Sequence, residues 1–294
     1  MLRFGLRAHD FGRFPAEVLA EKIQVYRPAS VQLAPSKAFP GIPAEPGYLS
    51  PGFARRTKEI FAARGMAIAV LGCYINPVHP DGDELERQLR RFEEHLRFAI
   101  DFGCPLVGTE TGSLNPDSSW HSGTQDEATF DRLCSSVERL VRIAERCAAI
   151  VAIEPVADQH TISSIDKTQA LIKRIDSPAL GIIFDPVNLI PQAGLGESQA
   201  AFFQRAFDAF GSRIVAVHAK DFRFEKSGKL AAVAAGSVLG TDSGGLDFAS
   251  LFRLLQAKKP GIDVLLENTS PGTAAAALAF VSRVAAETAA PDSP

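Results

Sequence analysis

Eight times along the chain a short apolar run of strand length is followed by a longer, helix-compatible stretch, and this alternation constrains the fold more than any other feature. The runs fall at residues 2–7, 30–33, 67–71, 106–109, 150–153, 180–184, 214–217 and 263–266. Most are apolar throughout rather than alternating, as expected of strands buried on both faces of a parallel sheet with helices packed outside it. Eight units of one kind predict closure into a single α/β domain, a (β/α)8 TIM barrel with a parallel eight-stranded sheet. Residues 1–287 would form the catalytic barrel and 288–294 a C-terminal tail. A length of 294 residues suits one such barrel.

Between the runs, residues 82–102 carry Leu85, Leu89, Phe92, Leu96 and Ile100 at helical spacing against a charged face, which predicts a helix with that stripe in the core. Residues 126–147 repeat the pattern through Phe130, Leu133, Val137, Leu140, Ile143 and Ala144. Loops rich in Gly, Pro and Ser at 35–52, 112–123 and 236–245 are expected at the catalytic end of the barrel. Cys73, Cys104, Cys134 and Cys147 are widely spaced, contain no C-x-x-C pair, and read as core thiols in a reducing compartment.

Charge narrows the partners. The chain has 31 Lys+Arg against 34 Asp+Glu spread along its length, without the clustered basic excess that a polyanion demands, so no nucleic-acid partner is expected. The apolar opening, Met1 to Leu6, is too short for a signal peptide or a membrane span, which predicts a cytoplasmic protein with no membrane partner. A homodimer is the oligomeric alternative that barrels leave open.

The chemistry lies where four runs end. Residues 150–153 lead into Glu154-Pro155, 181–184 into Asp185-Pro186, 215–217 into His218, and 264–266 into Glu267-Asn268. The intervals of 31, 33 and 49 residues each fit one βα unit, so neighbouring strands would present all four groups at one rim. A single carboxylate or imidazole at a strand end is more often a cap or a surface charge; four in succession form a pattern. Three carboxylates that close raise one another's pKa and call for a compensating cation. Oxygen-rich ligation with one imidazole suits Mn2+ or Mg2+, with Co2+ as an alternative, better than zinc.

At these residues the chain resembles the xylose-isomerase-like TIM barrel superfamily, the sugar phosphate isomerase/epimerase group. The likeness rests on Ile153-Glu154-Pro155, the stretch Phe184-Asp185-Pro186-Val187-Asn188, His218-Ala219-Lys220-Asp221, Leu266-Glu267-Asn268, and Thr109-Glu110-Thr111-Gly112. It implies that Glu154, Asp185, His218 and Glu267 bind the metal. Two departures bear on the reaction. Ketose 3-epimerases usually carry a second His where this chain has Asn188, and the H-x-K-D run at His218 looks more like the dehydratase and isomerase branches.

The resulting expectation is a metal-dependent isomerase or epimerase acting on a small keto sugar or polyol. Glu154 and Glu267 would move the proton next to a carbonyl through an enediolate, with Lys220 near the developing oxyanion. The alternatives are a dehydratase or lyase using the same site, and a non-catalytic carbohydrate-binding barrel. Further candidates for substrate contact are Asn188, His160, Glu110, Trp120 and His9, each of which has a capping, packing or loop role as its plainer explanation. No glycine motif that cradles phosphate stands out, and Gly240 to Gly245 is too generic to be one, so unphosphorylated substrates are expected.

Overall fold

Hydrogen-bond pairing closes eight parallel strands into one barrel. In the computed structural model, which describes residues 1–226, 229–238 and 245–289, the first strands are β1 (Arg3–Arg7), β2 (Ser30–Leu33), β3 (Ala67–Gly72) and β4 (Leu106–Glu110). They are followed by β5 (Ile150–Glu154), β6 (Leu180–Phe184) and β7 (Ile214–Ala219). An antiparallel pair, β8 (Asp221–Phe224) and β9 (Leu230–Val233), precedes the last barrel strand, β10 (Asp263–Leu266). The ring runs β1-β10-β7-β6-β5-β4-β3-β2, and β1 pairs with β2 to close it.

The two-residue period of a strand sorts side chains between two cores. One set, including Leu6, Val31, Val107, Ile153, Ile182, Phe184 and Val264, packs outward against the helices in the main core. The alternate set, Val70, Ala152, Ile183, Ala216 and Leu265, fills the barrel interior as a separate cluster. Two strand glycines make room for it. A Cβ at Gly5 would lie 2.5 Å from the Leu265 side chain, and one at Gly108 would lie 2.8 Å from Ile183.

The expected helix at 82–102 is shorter than its apolar stripe. It runs Gly82–Phe98, capped by Asp81, whose carboxylate accepts the Glu84 N–H at 2.9 Å. Leu89, Phe92 and Leu96 are buried, but Ile100 is 53% exposed. The chain has left the helix by then; Phe102 takes the buried place and Gly103, at φ +70°, turns it toward β4. The helix Glu127–Cys147 matches expectation and buries Phe130, Leu133, Val137, Leu140 and Ala144.

The β8–β9 pair was not anticipated. Its members are four residues long and half-exposed, so they lack the apolar run that marks the barrel strands. The last helix, Ala274–Thr288, passes the expected domain boundary by one residue. Residues 290–294 of the expected tail, and 239–244 of the glycine-rich loop, lie outside the described residues. The four cysteines are unpaired, three of them buried. Among the described residues no helix is long and apolar enough to cross a membrane.

Candidate metal centre

The site follows from strand parity. Ala152, Ile183, Ala216 and Leu265 point into the barrel, so the residues two positions further on also point inward, at the carboxyl ends of the strands. These are Glu154, Asp185, His218 and Glu267, all buried, each offering one ligand atom within 4.8 Å of the others. Opposite ligands of an ion bound at roughly 2.0–2.4 Å would be about 4–5 Å apart, so the four groups fit a divalent cation. The imidazole supports the fit: His218 is fully buried, its Nε2 has no hydrogen-bond partner among the described residues, and its Nδ1 faces the carboxylates of the cage.

Glu154 and Glu267 flank that imidazole, with carboxylate oxygens 3.1 and 3.4 Å from Nδ1. Asn188 serves the cage directly. Its side-chain Nδ2 donates to Glu154 Oε1 at 2.7 Å and its backbone N–H donates to Asp185 Oδ1 at 3.0 Å. Lys220 lies on the same side as His218, as alternation predicts, and its Nζ bridges Asp185 Oδ2 at 2.7 Å and Glu267 Oε2 at 2.8 Å. The β10–β7 register explains the second contact: Leu266 pairs with Ala219, which sets Glu267 beside Lys220.

Charge balance differs from the expectation that a metal alone would offset three carboxylates. Lys220 is one protein cation in the cage and Arg7 is a second, with NH1 2.9 Å from Glu267 Oε1 and Nε 2.8 Å from Asp10 Oδ1. Burial opposes ionisation of Glu267, but Lys220, His218 and Arg7 outweigh it and hold its carboxyl far below the usual range. For His218 burial also opposes the charge, and the flanking Glu154 and Glu267 raise its pKa to about 9. Asp185 goes the other way: burial raises its pKa against the pull of Lys220. Arg7 was legible but unread, since it stands two residues after Gly5 on a strand whose odd positions face inward.

The remaining candidates divide. Glu110 pairs in register with Glu154, and the buried His160 has Nδ1 3.7 Å from Glu110 Oε2, beyond hydrogen-bond reach. Burial lowers the His160 pKa to about 4. His9 follows β1 with its ring edge toward Tyr74, 6.1 Å between centroids, and its Nδ1 has no partner. Trp120 is 65% exposed on the loop after β4, outside the inward-facing ring. Asp221, the end of the H-x-K-D run, is an organiser: its carboxylate accepts the backbone N–H groups of Phe222, Val238 and Leu246 at 2.9–3.1 Å.

A hollow of about 700 Å³ lies at the opposite, amino-terminal end of the barrel, among Leu2, Phe4, Ala257, Ala285 and Ala289. It holds none of the clustered ionisable groups.

A family model described as xylose isomerase-like TIM barrel matches residues 29–284. The chain is similar to the 3-oxo-isoapionate decarboxylase of Pectobacterium atrosepticum, 29% identical over 161 residues, 54% of this chain and 52% of that protein. It is also similar to a probable endonuclease 4 of Chlorobium phaeovibrioides, 30% identical over 141 residues, 46% of this chain and 47% of that protein. The chain thus spans about half the length of the curated relatives it matches. The second likeness means that even charge composition does not exclude nucleic acid as a partner. Among solved structures, a D-tagatose 3-epimerase-like protein superposes with a TM-score of 0.74 at 17% identity, covering 97% of this chain and 98% of that one, a likeness of fold.

Proposed function

The chain belongs to the xylose isomerase-like TIM barrel family, and on that premise we propose that it is a divalent-metal-dependent isomerase or epimerase of a small keto sugar or polyol. The observation that carries the reading is the buried cage of Glu154, Asp185, His218 and Glu267, in which two carboxylates flank one imidazole. A divalent ion held there, Mn2+ or Mg2+ with Co2+ as an alternative, would polarise the substrate carbonyl and its neighbouring hydroxyl and so acidify the C–H between them.

The chain's own groups supply the proton transfer. Glu154 and Glu267 come from strands separated by β6 and β7, so they reach the reacting carbon from two sides. One takes the proton and the other returns one, inverting the centre; if a single carboxylate returns the proton to the neighbouring carbon, the carbonyl migrates instead. Asn188 fixes the rotamer of Glu154 through the 2.7 Å bond, and Lys220 places positive charge where the enediolate oxygen develops. On this reading His9, His160 and Glu110 would hold substrate hydroxyls.

A lyase is the second reading, favoured by the likeness to a decarboxylase. Loss of carbon dioxide from the carbon next to a ketone leaves the same enolate, so the same groups would serve. The test is metal content of the purified protein, followed by incubation with keto sugars in D2O and NMR. Bound metal with deuterium entering next to the carbonyl of an unchanged skeleton supports the isomerase reading, and loss of a carboxylate or of water moves it to lyase. Absence of bound metal, together with Glu154→Gln that leaves exchange unchanged, would overturn both.

A further inference from the structure

The ring that carries the metal cage has a second half, built by β1 to β4 and the loops behind them. Beside it lies a cavity of about 370 Å³, bounded among others by Lys37, Tyr74, Asn76, Arg91, Glu110 and Ser118. Tyr74 and Glu110 join cavity to ring. Glu110 pairs with the cage residue Glu154, and Tyr74 accepts a 2.7 Å hydrogen bond from Nε2 of Gln32, the strand neighbour of Arg7.

Among the described residues, two cations of this cavity have no carboxylate within 4.0 Å. Arg91 is 6% exposed; its guanidinium donates to the Tyr74 carbonyl, its Nε has no hydrogen-bond partner, and no carboxylate lies within 4.0 Å of it. Buried charges are normally paired, because an uncompensated one forfeits its hydration for nothing in return. Lys37, on the short helix Pro35–Ala38, lays its ammonium over the Tyr74 ring, 3.8 Å from the centroid, and is likewise without a carboxylate within 4.0 Å. The other cations near the ring are taken: Arg7 by Asp10 and Glu267, Lys220 by Asp185 and Glu267. Arg87, also at this cavity, is paired with Glu84 and Glu45. Glu110 and Asp117 also line the cavity, neither within 4.0 Å of Lys37 or Arg91, and Glu110 acts on Lys37 electrostatically from beyond that distance.

We propose that this cavity seats an anionic group, a carboxylate or a phosphate ester, at the end of the substrate remote from the reacting carbonyl, with Lys37 and Arg91 as its cations. The assignment rests on reading the neighbouring cage as a keto-sugar site, and it narrows the substrate to acidic keto sugars. Side-chain cations, rather than a glycine-rich loop, recognise the charge, which is why the sequence showed no phosphate motif. Neutral hydrogen-bonding groups at the same cavity, Asn76, Gln88 and Ser118, complete its polar lining.

The test uses the Mn2+-loaded protein and the four D-2-ketohexoses, each as the neutral sugar, the terminal carboxylate and the terminal phosphate ester. Affinity is read by calorimetry and deuterium uptake by NMR in the same samples. At least one charged member should bind tenfold or more tightly than its neutral counterpart, and the stronger of carboxylate and phosphate identifies the anion. Lys37→Met, which keeps the alkyl stem on Tyr74, should reduce that gap to threefold or less while metal content stays unchanged. Arg91→Lys, which keeps the charge but loses the planar fork, should weaken the charged members alone. Equal binding of neutral and charged sugars, a gap that survives both variants, or binding by no member of the panel overturns the proposal. A charge-dependent gap without deuterium uptake keeps the anion seat and removes the proton-transfer reading; uptake without a gap does the reverse.

Discussion

Arg7 links the first strand to Glu267 behind the last one, and its removal should be measurable as a loss of stability in the metal-free protein. In Arg7→Met, Glu267 loses its 2.9 Å partner and Asp10 its 2.8 Å partner. Two unit charges about 4 Å apart interact by about 4 kcal/mol at an effective dielectric constant of 20. The Arg7 side chain is 22% exposed and Glu267 keeps Lys220, so the expected loss is smaller, about 2–3 kcal/mol. Unfolding entropy of roughly 2.1 cal/mol/K per residue, over 294 residues, makes this a fall in Tm of about 4 °C. The assay is calorimetric unfolding in chelator at neutral pH. Asp10→Asn in the Arg7→Met background should recover about 1 kcal/mol by removing the stranded carboxylate, whereas Asp10→Asn alone should destabilise. A shift below 1 °C for Arg7→Met, or strict additivity of the two changes, would refute the reasoning.

Three other outcomes follow from the same structure. Asp221→Ala removes the acceptor of three backbone N–H groups, so hydrogen exchange at Phe222, Val238 and Leu246 should accelerate together; unchanged protection at all three would show that Asp221 is dispensable. His95 is fully buried and burial lowers its pKa from 6.5 to about 4. Protonation therefore favours the unfolded chain: its effect is absent above pH 6.5 and costs up to about 3 kcal/mol as pH falls toward 4, so His95→Asn should flatten that part of the denaturation profile. Phe92→Ala, at a fully buried position, should cost about 3–5 kcal/mol, whereas Ile100→Lys, outside the helix it was expected to extend, should stay within about 0.5 kcal/mol in urea titrations.

The barrel was legible because its information is local. A strand covered on both faces needs apolar residues at every position, and eight such runs separated by helical spacing leave few other architectures. The four cage residues were legible for a related reason: each ends a run, and parity alone turns it inward. Asn188 and Lys220 are expected from the sequence to contact substrate and oxyanion; what the sequence does not show is that both also reach carboxylates of the cage. Ile100 misled because helical periodicity continues through residues that have already left the helix, and the β8–β9 pair was missed because half-exposed strands of four residues carry no apolar run.

The sequence by itself therefore determined the barrel, its order of units and the four inward-facing residues of the cage, since strand length, burial and parity are properties of neighbouring residues. Only the tertiary structure decided how charge is balanced among them. That Arg7 reaches Glu267, that Lys220 bridges Asp185 and Glu267, and that Lys37 and Arg91 have no carboxylate within 4.0 Å among the described residues all depend on pairings between strands and loops far apart in the chain. Electrostatic energy falls with distance in space rather than along the sequence, so barrel closure, which makes β1 the neighbour of β10, was needed before any of these charges could be assigned a partner.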